Sequence, residues 1–168
     1  MKNYNFNKEF CSFKQSSLLE EIGFNEPCLG FYIGTNPNQV IRVDSDDFIS
    51  TSTKSDFYDT WDPHFDMIVT APLLQQAFRF FTSKGIYNDV RNCEVDGWIF
   101  KVENKNKKFE SEKFETHSDC VQACLDYLIS FVMKEEKIIE IKNFLKDTEF
   151  YYFENREDLI TQFLDNIN

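Results

Sequence analysis

Three short stretches bring together side chains able to do chemistry. The first is "WDPHFD", which places Asp62, His64 and Asp66 within five residues. Two carboxylates and an imidazole suit a metal or an acid–base pair, and in an extended strand alternate residues share a face. Pro63 interrupts regular pairing there, and no second histidine lies nearby. The second is His117, Cys120 and Cys124, at i, i+3 and i+7 on one side of a helix. Zinc takes such ligands, but a structural site needs a fourth, which no spacing supplies. Cys124 also falls on the apolar stripe of that helix, which favours a buried small hydrophobe. The third is "DSDDFISTSTKSD". Counted from Asp44, the sixth position is Ile49 and the twelfth Ser55, where a calcium loop requires Gly and Glu. A solvated acidic loop fits better. No metal or cofactor is therefore assigned.

Nucleophilic catalysis would need Cys28 or Cys93 beside His64. Five cysteines and two histidines permit many such pairings, so this pairing carries little weight. No Walker, GxSxG, Gly-rich dinucleotide or HExxH pattern occurs. The most distinctive surface segment is "SDFYDTWD", where Asp56, Asp59 and Asp62 alternate with Phe57, Tyr58 and Trp61. Aromatic rings anchor protein interfaces and carboxylates steer a basic partner. The same rings would equally serve to tuck the loop onto the core.

The elements that must position these residues can be read from pattern. "SSLLEEIGF" reads as a helix, with Ser17 and Glu20 as a capping box and Gly23 at its end. "CLGFYIG" and "QVIRV" read as two strands joined through "TNPN". "MIV" reads as a short strand. "TAPLLQQAFRFFTSKG" is a helix, with Thr70 as cap, Pro72 in the first turn and Gly85 as stop. Ala71, Leu74, Phe78 and Phe81 form its apolar face, widened by Leu73, Ala77 and Phe80. "IYNDVRNCEV" and "GWIFKVEN" form a hairpin across Asp96-Gly97, followed by "KFESEKF". "THSDCVQACLDYLISFVMKEE" is a helix capped by Thr116, with Asp119 at its third position and a stripe of Val121, Cys124, Leu125, Leu128 and Val132. The next residues are ambiguous between helix and strand. "FYYF" reads as a strand, and an amphipathic helix follows Asn155. The fold class is α+β: a single compact domain over 1–168, with antiparallel hairpins packed against two or three main helices.

The 168 residues carry a net charge of −11, from 29 acidic and 18 basic side chains. Such a surface repels phosphate backbones, so direct nucleic-acid binding is not expected. Nineteen Phe dominate an aromatic fraction of 17%, which supplies a core and leaves rings for a contact patch or for self-association. Five cysteines without a CxxC pair fit reduced thiols. No apolar run is long enough to span a bilayer, and the N-terminus has no signal-peptide pattern. A cytoplasmic location is expected.

Three segments taken in order, "LLEEIGFNEPCLGFYI", "TAPLLQQAFRFFTSKGIY" and "FETHSDCVQACLDYLISFV", resemble a family of small uncharacterised phage and prophage proteins of Bacteroidetes-type bacteria. Its members run from LGFxEPC through APLYQQxxxWFRE to SYEEAExACLxKLI. The likeness covers residues 17–133. Phe80-Phe81 stands where the family tends to Trp-Phe, and 134–168 is an added C-terminal extension. The resemblance implies a mobile-element origin and no catalytic residues. Such accessory proteins often act against host defences. The favoured expectation is a non-enzymatic acidic protein that binds a host protein of basic surface through residues 56–62, or associates with itself. A small-ligand binder, such as a nucleotide sequestering protein, would need Arg42, Arg79, Arg91 or the "NKNKK" turn to converge. An enzyme would use Asp62, His64 and Asp66.

Overall fold

The structure is a computed structural model that describes residues 6–33, 36–42, 44–45, 48–49, 68–93 and 97–147, with side chains over 8–32, 68–93 and 97–140. The described part is α+β, with antiparallel strands throughout. Residues 1–129 and 130–168 form two compact units. The proposed site segment 56–62, His64, Asp66, "FYYF" and the last amphipathic stretch lie outside the described residues.

Helix α1 (Phe13–Glu21) begins earlier than Ser17. The capping box is built by Ser12 and Gln15: the Gln15 N–H donates to Ser12 Oγ at 3.3 Å, and the Ser12 N–H donates to Gln15 Oε1 at 2.9 Å. Ser17 instead donates back to the Phe13 carbonyl, so its hydroxyl sits within the helix. Ser12 and Gln15 share the spacing of Ser17 and Glu20, and capping upstream gives the helix an extra turn. The end is as expected. Gly23 has φ +88, its N–H donates to the Glu20 carbonyl and the Phe24 N–H donates to that of Leu19. Those two bonds satisfy carbonyls that the helix would otherwise leave open.

Strand β1 (Gly30–Ile33) is the centre of a sheet in the order β2–β1–β5, with β2 spanning Asn36–Arg42 and β5 Ile68–Thr70. The β1–β2 hairpin holds, but Asn36, Pro37 and Asn38 lie in the strand and not in the turn, with a register shift opposite Phe31 to Ile33. Phe31 and Tyr32 are both buried, as are all three residues of β5. Successive strand residues point to opposite faces, so this sheet is covered on both sides. Strands β3 (Asp44–Ser45) and β4 (Phe48–Ile49) pair in the acidic stretch.

Helix α2 (Leu74–Ser83) starts after Leu73, later than the Thr70 cap expected. Thr70 belongs to β5, and its hydroxyl and N–H both donate to Glu20 Oε1, at 2.9 and 2.7 Å. The start of α2 is held by Gln76, whose Oε1 accepts from the Leu73 N–H. Gly85, at φ +77, ends it with the same pair of bonds as α1. Ala77, Phe80 and Phe81 are buried, and Phe24 meets Phe80 edge-on at 5.5 Å.

Strands β6 (Tyr87–Cys93), β7 (Gly97–Glu103) and β8 (Lys108–Glu110) make a second sheet in that order. Gly97 sits at φ +154 beside the Phe114 carbonyl, 3.2 Å from where a Cβ would stand. Helix α3 (His117–Asp147) opens on Thr116, whose Oγ accepts from the Asp119 N–H at 3.1 Å. The ambiguous stretch after Glu136 is helix to Asp147. In the first unit Cys120, Cys124, Leu125, Leu128 and Ile129 are buried; in the second, Val132 is buried and Ile139 exposed.

Two substitutions should move stability in opposite directions. Glu20→Ala leaves the Thr70 donors unpaired and should cost about 2 kcal/mol. Ser16 is buried, and among the described residues its hydroxyl has no hydrogen-bond partner. Ser16→Ala should therefore stabilise by about 1 kcal/mol, because it removes an unpaired polar group and adds helix propensity. Urea unfolding of both variants checks the signs.

Candidate functional site

Four of the five thiols are sealed. Cys11, Cys28, Cys120 and Cys124 are each 0% exposed. Cys28 is held between α1 and β1, and its Sγ lies 3.4 Å from the Glu26 carbonyl. Burial above all, then the carboxylates of Glu26 and Glu20, push its thiol up to about 12. Burial also pushes Cys124 up to about 12, with Cys120 adding to it. Cys11 is raised further in the same direction, again by burial first. The nucleophile and the metal ligand are both the thiolate, so these thiols are inert at ordinary pH. Cys93, at the end of β6, is half-buried.

His117, Cys120 and Cys124 do share one helix, but they do not make a common site. His117 is exposed and meets the Trp98 ring edge-on at 4.5 Å, while the two cysteines turn into the core. Among the described residues no group of three or more His, Cys, Asp and Glu is placed to hold a metal.

Two of the cations weighed for a phosphate ligand, Arg79 and Lys108, are paired with carboxylates. Arg79 on α2 pairs with Glu26 at 2.5 Å. Lys108 pairs with Glu103 at 2.7 Å, and Lys101 with Glu110, across β7 and β8. The side chain of Arg42 lies outside the described residues. Arg91 stands on β6, where its charge helps to lower Glu110, after the stronger effect of Lys101.

Sequence reading missed an aromatic stack between β8 and the first half of α3. Phe109 lies flat on Tyr127, with centroids 4.1 Å apart and planes 14° from parallel. Phe100 touches both, at 5.7 and 5.8 Å, and stacks on Phe114 at 6.0 Å. Phe109 keeps 39% of its surface exposed. The register explains the meeting: Phe109 faces Val102, one cross-strand step from Phe100 on the same side of the sheet. The pattern F-x8-F across a turn was visible; that Tyr127, eighteen residues on, closes over it required the packing of α3.

A polar counterpart lies on the other side of α3. Gln15, buried in the α1 capping box, donates through Nε2 to Gln122 Oε1 at 2.9 Å and to Asp126 Oδ1 at 2.8 Å. Tyr32 donates to the Cys11 carbonyl at 2.5 Å, and burial pushes its phenol up to about 12. These groups hold elements together; they present nothing to a substrate.

A thiol reagent near neutral pH should modify the native protein fast at Cys93 alone, with the other four released only by denaturant; fast labelling of Cys28 would contradict its burial. The raised thiols favour the protonated, folded form, so their stabilisation is full below about 9 and is lost as pH climbs toward 12. Cys124→Ala should flatten that alkaline loss in denaturant midpoints measured across the window. Compared with known proteins, the chain matches no family model, no curated protein and no solved structure.

Proposed function

We propose that the protein is a non-enzymatic acidic accessory protein, of phage or prophage origin, that binds a basic macromolecule of the host cytoplasm, as a counter-defence factor would. One observation carries this reading: Glu20, Gln15 and four of the five thiols are taken up in holding the fold. Glu20 grips Thr70, Gln15 joins α1 to α3, and four thiols are sealed. What the chain offers outward is a charge of −11 and exposed rings. Carboxylates steer a cationic partner and rings anchor it once docked. The acidic–aromatic segment 56–62 is the interface this reading favours. No described helix is long and apolar enough to cross a membrane.

A nucleotide-like ligand is the second reading. It is favoured by the Phe109–Tyr127 stack, in which Phe109 keeps part of its ring exposed. Bases stack on such rings.

The test is affinity for a basic host protein captured by the tagged chain and then purified. Changing Tyr58 and Trp61 together to Ala should weaken binding at least about tenfold, and salt should weaken it further. Undiminished affinity in the double variant would remove segment 56–62 as the interface. A retained nucleotide, lost on Phe109→Ala, would favour the second reading. Turnover of any substrate that His64→Ala abolishes would favour an enzyme built on Asp62, His64 and Asp66.

A further inference from the structure

The second sheet ends on β6, whose sequence from Tyr87 to Cys93 is "YNDVRNC". Among the described residues, β7 is the strand paired with it. The hydrogen bonds of β7 fix which way β6 faces. Trp98 exchanges two bonds with Phe114, each 2.8 Å, the Ser111 N–H donates to the Phe100 carbonyl, and the Asn104 N–H donates to that of Lys107. The even-numbered residues of β7 therefore bond toward β8. Successive residues of an antiparallel strand point their backbone groups to opposite edges. The odd-numbered residues of β7 bond toward their partners Tyr87, Asp89, Arg91 and Cys93. Asn88, Val90 and Asn92 are left with N–H and C=O directed away from β7.

That edge is self-complementary. Place a second copy antiparallel to it with the two-fold axis at Val90. Val90 then faces Val90, and Asn88 faces Asn92 on both sides of the axis. All three are hydrogen-bonded pairs, each exchanging two bonds, because these are the residues whose backbone groups point outward. The pairs between them are the closer, non-hydrogen-bonded kind, with Cα atoms about 4.5 Å apart. They set Asp89 opposite Arg91, twice. Opposite charges at such positions attract across strands, whereas like charges repel. Asp89 and Arg91 are both exposed, and Tyr87 beyond them is 61% exposed. A two-fold axis perpendicular to the sheet keeps the two faces apart. The charged face with the Lys101–Glu110 and Lys108–Glu103 pairs continues across the junction, as does the face carrying Phe100 and Phe109.

We infer that β6 is a homodimerisation edge, with a second copy of this chain pairing antiparallel about Val90 and two Asp89–Arg91 ion pairs setting the register. This inference does not rest on the basic-partner reading, and either can fail without the other.

Sedimentation equilibrium of the whole chain at micromolar concentration is the test. The wild type should be a dimer. Asp89→Arg alone, or Arg91→Asp alone, places like charges opposite each other at both pairs. Each should raise the dimer dissociation constant at least about tenfold. The combined Asp89→Arg, Arg91→Asp variant exchanges the charges and should restore the dimer. Val90→Pro removes an outward N–H that β7 does not use; it should give monomer with an unchanged circular dichroism spectrum. A monomeric wild type, single variants as dimeric as wild type, or a combined variant that stays monomeric would each overturn the inference.

Discussion

One carboxylate joins the first helix to the first sheet. Glu20 stands in the last turn of α1, and its Oε1 accepts two hydrogen bonds from Thr70, one from the backbone and one from the hydroxyl. Thr70 is the last residue of β5 and is almost fully buried. Among the described residues no further strand pairs beyond β5, and a buried unpaired donor costs more than a hydrogen bond gains. Much follows from that grip. With β5 fixed, Ala71 donates to the Gly30 carbonyl and the Pro72 carbonyl accepts from Cys11, so the chain leading into α2 is held from both sides. Phe10, Tyr32, Val69 and Ala71 then close into one apolar cluster, with Phe13, Leu29 and Leu73 packed against it.

A second tie runs through Gln15. Its carbonyl oxygen caps α1 while its amide nitrogen reaches two residues on α3. One side chain thus sets where a helix begins and where another helix lies against it. Such a residue is hard to replace: Glu keeps the cap but loses the donor, and Leu keeps the volume but loses both. The two ties use polar side chains that in another protein would be candidates for catalysis. Here they substitute for strand pairing and helix packing in a chain of modest apolar content, where 42% of residues are hydrophobic.

The elements of the fold were legible where local signals were unambiguous. Gly23 and Gly85 stop their helices as read, because a left-handed residue is needed there and glycine adopts it without strain. Thr116 caps α3 as read. Starts were misread where a cap residue had another use. Thr70 is a good cap in sequence, but its side chain goes to Glu20, fifty residues away, and no local pattern reports that. Ser17 lost to Ser12 for the same kind of reason, since Gln15 also serves α3. The helix past Glu136 was ambiguous because isoleucines suit both periods. The His117, Cys120, Cys124 group looked like a ligand set only because helical spacing records direction and not depth: one member is at the surface and two are in the core. The aromatic stack was invisible for the converse reason, being assembled from two elements that meet only in the fold.

The far edge of the second sheet has its own consequence. Strand β8 is three residues long, all exposed, and Lys108 and Glu110 are the residues whose backbone groups face outward from it. A short, charged margin is a poor template for a further strand. A sheet with one receptive margin and one blunt margin can add a neighbour on one side only. Association through it terminates after a single addition, where a sheet open on both sides would polymerise. For an acidic, phenylalanine-rich chain, the length of that last strand separates a finite assembly from a fibre.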